Sequence, residues 1–296
     1  MNFKDSGIYY PFLGKCTKNR IFQPDNRIMI VPYEQDYIPR SGNPVANLGG
    51  FIVKFCRDVG RCCKLIVMAF AFLPVFFRSR REIILQMYCC GVKSFPVTSI
   101  VALFTGMILA LQAGLILRSY GQEIMVGYLV SQTMFREMGP FMTALILAAS
   151  VGSAMAAQLG SMTVSQEIAA LEVMSINPVR FLVMPRLFAM MIMCPVLTAY
   201  TDLIGILGGG LVANTQLDVA WNAYCENVRF MLHEKELWVG FFKAWVFSVL
   251  IVGISCYQGM SARHGAVGVG NATRSSVVIC FLLILIVGYI ITRLFY

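Results

Sequence analysis

Residues 160–189 read GSMTVSQEIAALEVMSINPVRFLVMPRLFA, a polar, helix-forming segment that carries Glu167 and Glu172 between two long apolar runs. Crossing roughly 30 Å of hydrocarbon as a helix takes about 20 apolar residues, so runs of that length count as spans. The run before the segment covers residues 138–164, and the run after it covers residues 187–213 with Asp202 inside. Further out lie charge-free runs at residues 97–117, 244–262 and 275–292. Five spans are expected. Residues 65–77 are apolar but too few, and Pro74 interrupts them, so this stretch is expected to lie in the interface or to re-enter, with a sixth span as the alternative.

Composition agrees. Of 296 residues 58% are hydrophobic and only 13% charged, which excludes an ordinary soluble domain. The first 94 positions hold 14 Lys and Arg against 6 Asp and Glu, a net +8 of the total +9. Positive charge marks the cytoplasmic side, so an N-terminus in the cytoplasm is expected. The segment at 160–186 and the loop at 259–274 then share that side, and the loop with Asp218, Glu226, Glu234 and Glu236 lies opposite. Basic charge beside membrane spans points to anionic lipid headgroups, and no nucleic-acid partner is expected. Residues 1–45, with Pro11, Pro24, Pro32, Pro39 and Pro44, read as an irregular tail without the features of a signal or transit peptide. From Leu48 to Lys64 apolar residues recur at three- and four-residue spacing opposite Lys54, Arg57, Asp58, Arg61 and Lys64, an amphipathic interfacial helix. Gly152, Ala156 and Gly160, and again Gly205 and Gly209, have the spacing that lets helices approach closely in lipid, within one subunit or between two copies.

The catalytic motifs are missing from the sequence. There is no G-x-x-x-x-G-K-S/T, no HExxH and no GxSxG, so neither a nucleotide-cradling loop nor a hydrolase site is expected. Two histidines and no paired CxxC make a metal site unexpected. The working part is instead the segment after the second span. Thr163 or Ser165 is placed to cap a helix over Gln166–Met174, which ends before Asn177-Pro178. Ile168, Leu171 and Met174 fall on one face with carboxylates beside them, a short ridge that a protein partner can seat in a groove. Ionisable residues inside spans carry a functional expectation because each is costly in hydrocarbon. Arg136 and Glu137 open the second span, Lys243 opens the fourth, and Asp202 lies deeper in the third.

Longer stretches carry a resemblance. FTGM at 104–107, ALQ at 110–112, the unbroken run from FREMGPFMTALI at 135 to MPRLFA at 189, TDLIGILGGGLVA at 201–213, KAWVFSVLIVGISCYQG at 243–259 and GAVGVGNATRSSVV at 265–278 resemble the MlaE family of ABC-transporter permeases, across about residues 48–296. The resemblance implies an all-α integral membrane protein with five transmembrane helices, the interfacial helix and a cytoplasmic coupling helix. It implies a permease subunit that moves phospholipid between membranes as a homodimer in a bacterial inner membrane. The chain itself would hold no cofactor, with ATP and Mg on a partner P-loop ATPase and an MCE-domain lipid-binding protein on the outer side. Ser165, Gln166, Glu167, Ile168, Leu171, Glu172 and Met174 would then couple to the ATPase. Leu109, Leu111, Leu115 and Leu117 would line the lipid cavity, with Arg136, Glu137, Asp202 and Lys243 along the lipid pathway. The chain departs from the family pattern at Gln166-Glu167, which is swapped, and at Ala169, Ser150 and Gly288, where charged residues are common. The competing readings are an ion channel or secondary transporter without an ATPase, which needs paired deep charges or inverted repeats, and a lipid-modifying enzyme, which needs a His, Asp or Cys cluster.

Overall fold

The computed structural model describes residues 44–72, 80–230, 234–263 and 265–296. The tail at 1–43, Pro74, Arg78 and both histidines lie outside the described residues, as do the side chains of Phe51, Ile52, Lys54 and Phe55 within the first helix. Every regular element among the described residues is helical: α1 (Pro44–Ala71), α2 (Arg80–Cys90), α3 (Phe95–Arg118), α4 (Val126–Thr133), α5 (Gly139–Leu147), α6 (Ser153–Val164), α7 (Glu167–Val173), α8 (Met184–Gln216), α9 (Trp221–Phe230), α10 (Glu234–Met260) and α11 (Gly265–Phe295). Five stretches are long and apolar enough to cross a membrane: Arg80–Arg118, Glu123–Val164, Val179–Gln216, Glu234–Met260 and Gly265–Phe295. This is an all-α, multi-pass membrane protein. The spans are longer than the apolar runs because a helix does not stop where its side chains turn polar; backbone hydrogen bonds carry it on into the interface. The loop expected at 259–274 shrinks accordingly, with α11 beginning at Gly265, whose φ of +68° suits glycine.

The helices pack through missing side chains. A Cβ on Gly106 of α3 would stand 1.8 Å from the carbonyl oxygen of Gly205 on α8, and one on Gly208 would stand 2.5 Å from that of Leu103. In lipid, where hydrophobicity does not draw helices together, such backbone contact supplies the dispersion energy instead. Gly152 faces Ser255 and Ile251 of α10, and Gly160 faces Ala262 and Val269 of α11. The small-residue spacing of the second span is therefore used inside the subunit. Beyond the α8 end of the body, α9 folds back so that Tyr224 donates to the Ile206 carbonyl at 2.9 Å and joins Val126, Val130, Met134 and Leu217 in a buried cluster.

The N-terminal helix is more than a surface element. α1 continues through the stretch that seemed too short, to Ala71, with Leu65 and Ala69 buried. It runs antiparallel to α10: Asp58 accepts from Tyr257 at 2.7 Å, Cys62 and Ile66 meet Gly253, and Phe70 reaches Trp245 and Phe188. From Asp58 to Phe70 is about 18 Å of helix. α1 is nonetheless not apolar enough to be a candidate span.

Candidate functional site

Pro140 organises the polar centre. Proline has no N–H, so the carbonyl four residues earlier, that of Arg136, has no α-helical donor. The chain answers with a π-helical turn over Met134–Met138, in which Gly139 N–H bonds to the Met134 carbonyl and leaves the Phe135 carbonyl without its usual partner as well. Both open carbonyls face α10. The Phe135 oxygen sits 2.6 Å from where a Cβ on Gly240 would be, which is why glycine stands there. One turn further along α10, the Lys243 ammonium donates to the Arg136 carbonyl at 2.7 Å.

Lys243 completes a closed set of contacts. Its ammonium also donates to Glu137 Oε1 at 2.9 Å and to Thr292 Oγ1 at 2.8 Å, and the Thr292 hydroxyl reaches the same Glu137 oxygen at 2.8 Å. The Lys243 side chain is 1% exposed. Arg136 turns away, its Nε 4.0 Å from Glu137 and its guanidinium stacked 3.4 Å above the Tyr296 ring. Three of the four ionisable residues expected in the lipid pathway thus meet at one point between α5, α10 and α11. Nothing in the sequence signalled Thr292 or Tyr296 as their companions.

Asp202 stands apart. It is buried on α8 with its carboxyl pressed against Gly139, where a Cβ would lie 1.6 Å from Oδ1, and that oxygen has no hydrogen-bond partner. One residue away, Thr201 and Thr143 share a hydrogen bond of 2.7 Å. Asp202 therefore fixes where α8 crosses α5 but makes no ion pair with the Lys243 group.

The leucines expected to line one cavity occupy two faces of α3. Leu111 and Leu115 are exposed on the outer surface of α3 with Ile100, Phe104 and Ile108. Leu117 packs on the α4–α9 cluster. Leu109 borders an apolar cleft of about 180 Å³ shared with Ala113, Ile116, Leu129, Val130 and Thr133. α3 is apolar all round, so periodicity could not assign its faces.

The segment that opened the sequence reading folds as a seven-residue helix, α7, at the turn between two spans. The expected hydroxyl cap is not used. Thr163 bonds back to the Leu159 carbonyl, and Ser165 bonds to the Ser161 carbonyl and to Glu167. The turn is made instead by Gln166 at φ +61°, with Ser175 at φ +59° on the far side of the helix. Two non-glycine residues in the left-handed region bracket α7 and set its angle to the body. The ridge of Ile168, Leu171 and Met174 is also divided. Ile168 is buried against the chain's own helices and Leu171 is half-buried, while Met174 is exposed with Ala169, Ala170 and Val173, the last at 86%. Glu167 is exposed and Glu172 half-buried on its flank. Nearby, Arg186 is no loop residue; it is buried, donates to Gln158 at 3.0 Å, and leaves Nη1 unpartnered.

Five apolar helices long enough to cross a membrane, with Lys243 and Glu137 paired between them, define a polytopic membrane protein. The model for the family described as Permease MlaE matches residues 83–294, and the chain belongs to that family. It is 36% identical over 251 residues to a probable ABC transporter permease protein of Rickettsia prowazekii, covering 84% of this chain and 96% of the relative. It is 31% identical over 258 residues to the intermembrane phospholipid transport system permease protein MlaE of Haemophilus influenzae, covering 86% and 98%. A more distant relative, the chloroplastic protein TRIGALACTOSYLDIACYLGLYCEROL 1 of Arabidopsis thaliana, is 28% identical over 216 residues, 73% of this chain and 62% of its own length.

Proposed function

We propose that this chain is the membrane subunit of an ABC transporter that moves phospholipid between membranes, with ATP and Mg held by a separate P-loop ATPase. The observation that carries the reading is α7. It is seated on its own chain through Ile168 and presents Val173 and Met174 outward at the turn between two spans. A short exposed apolar tip with carboxylates beside it suits a groove on a soluble partner. The sequence has no phosphate-binding loop of its own, so energy from ATP must enter from such a partner.

In this reading the α7 side is cytoplasmic and the N-terminus lies there too, in a bacterial inner membrane. A second copy of the chain covers apolar surface within the membrane, and an MCE-domain lipid-binding protein meets the α9 side. Lipid passes along the surface of α3 and the cleft at Leu109, with the Lys243–Glu137 contact holding the second, fourth and fifth spans together beside it.

Replacing Val173 and Met174 together by arginine is expected to abolish co-purification with the ATPase subunit, since both charges would enter an apolar groove. The variant should still elute as a monodisperse membrane protein, because neither side chain packs on the body. Undiminished capture of the ATPase would refute the assignment. Lipid extracted from the purified complex and identified by mass spectrometry should include phospholipid that survives detergent exchange; only freely exchanging lipid would count against transport.

A further inference from the structure

One turn of α10 touches four other helices through polar atoms. The Ser276 hydroxyl of α11 donates to Ser255 at 3.0 Å. Cys256 lies beside the Arg186 guanidinium of α8, which in turn holds Gln158 of α6. The Tyr257 hydroxyl donates to Asp58 of α1 at 2.7 Å. The Gly259 carbonyl accepts from Thr163 of α6 at 3.3 Å, and the absence of a Cβ on Gly259 lets α10 close to within contact of Ala156 and Leu159. Thr163 is three residues before Gln166, the left-handed residue from which α7 springs.

From this arrangement we infer that the turn Ser255–Gly259 is a relay, and that Tyr257 is a positioning residue through which displacement of α7 reaches α1. The inference rests on the reading of α7 as the site of ATPase contact. A load on α7 acts first on the end of α6. The end of α6 is fixed to α10 at Thr163 and Gly259, with close backbone packing between them, so the two ends move as one piece. The same turn of α10 holds α1 by the Tyr257 hydroxyl, four residues after Gly253, on whose surface Cys62 and Ile66 rest. α1 cannot stay behind when α10 shifts while that hydrogen bond is intact. Phenylalanine at 257 keeps the ring and its packing and removes only the hydroxyl, so it separates attachment from shape.

The test uses the full complex with its ATPase subunit in proteoliposomes of mixed zwitterionic and anionic phospholipid. Tyr257→Phe is expected to lower lipid transfer about three- to tenfold, the scale of one interhelical hydrogen bond in a membrane, while ATPase binding and basal hydrolysis are retained. Asp58→Asn keeps an acceptor for the tyrosine and should transfer lipid nearly as wild type does. A merely structural role would move transfer, hydrolysis and thermal stability together, and that outcome overturns the relay. A second measurement needs no ATPase: Asp58→Ala and Thr163→Val, on two helices whose hydrogen bonds to α10 both fall on this one turn, should shift the melting temperature non-additively. Strict additivity would also overturn the relay. A wild-type complex without lipid-stimulated hydrolysis would sink the transporter reading instead, and the stability cycle would still decide the relay.

Discussion

Lys243→Met should lower stability by about 1–3 kcal/mol, the scale for leaving acceptors without their donor, because Lys243 is 1% exposed while its partner Glu137 is 38% exposed. The ammonium is almost fully enclosed and satisfies three acceptors at once: the Glu137 carboxylate, the Arg136 carbonyl opened by Pro140, and Thr292. Methionine fills much the same volume but leaves the Arg136 carbonyl without its donor and the Glu137 carboxylate with only the Thr292 hydroxyl and the Arg136 guanidinium at 4.0 Å. Removing the stranded charge as well, in Lys243→Met with Glu137→Gln, should recover part of the loss, because a neutral amide is less costly to bury than an anion. Thermal unfolding of the purified protein in nanodiscs reads both effects. A single variant that melts with the wild type would show that the contact is ornamental. Lys243→Arg should fare little better than methionine, since a planar guanidinium cannot replace a compact ammonium among three converging oxygens.

The second large effect is expected at Gly106. A valine there would drive its Cβ into the Gly205 carbonyl, 1.8 Å away, with the Gly205 Cα at 2.8 Å. No rotamer relieves a clash with backbone, so α3 and α8 must separate along their parallel seam. Overpacking a core costs about 1–3 kcal/mol even where side chains can yield, and here they cannot, so the loss should exceed about 3 kcal/mol. Gly106→Val is expected to fail to appear as a monodisperse peak. Gly60→Ala, with nothing within 4 Å of the added carbon, is the matched control. Equal yields from the two would contradict the seam.

The count of spans was legible in the sequence because each is an apolar run longer than the membrane is thick, a property of composition alone. Their ends were not, since Arg80, Lys93 and Glu234 interrupt hydropathy without interrupting a helix. Arg136, Glu137 and Lys243 could be singled out one by one as costly in lipid, and the structure joins them. What joins them, an acceptor opened by Pro140 and met by a lysine more than a hundred residues later, requires knowing which helices touch. Asp202 looked equivalent to the other three and is not, because its neighbour is the bare backbone of Gly139. At α7 the helix was legible but its orientation was not. Ile168 and Met174 are both apolar but six residues apart, about 120° around a helix, and the burial of Ile168 against its own chain leaves Val173, unremarked in the sequence, as the outermost apolar side chain.

The course of α1 has a consequence for the bilayer itself. It lies alongside α10 from Tyr257 to about Trp245, about 18 Å of helix against a hydrocarbon core roughly 30 Å thick, so it borders only part of the depth that α10 crosses. A helix about 10 Å across occupies roughly 80 Å² of membrane cross-section, so any change in how α1 packs on α10 should change the area the chain displaces over that depth and leave the rest untouched.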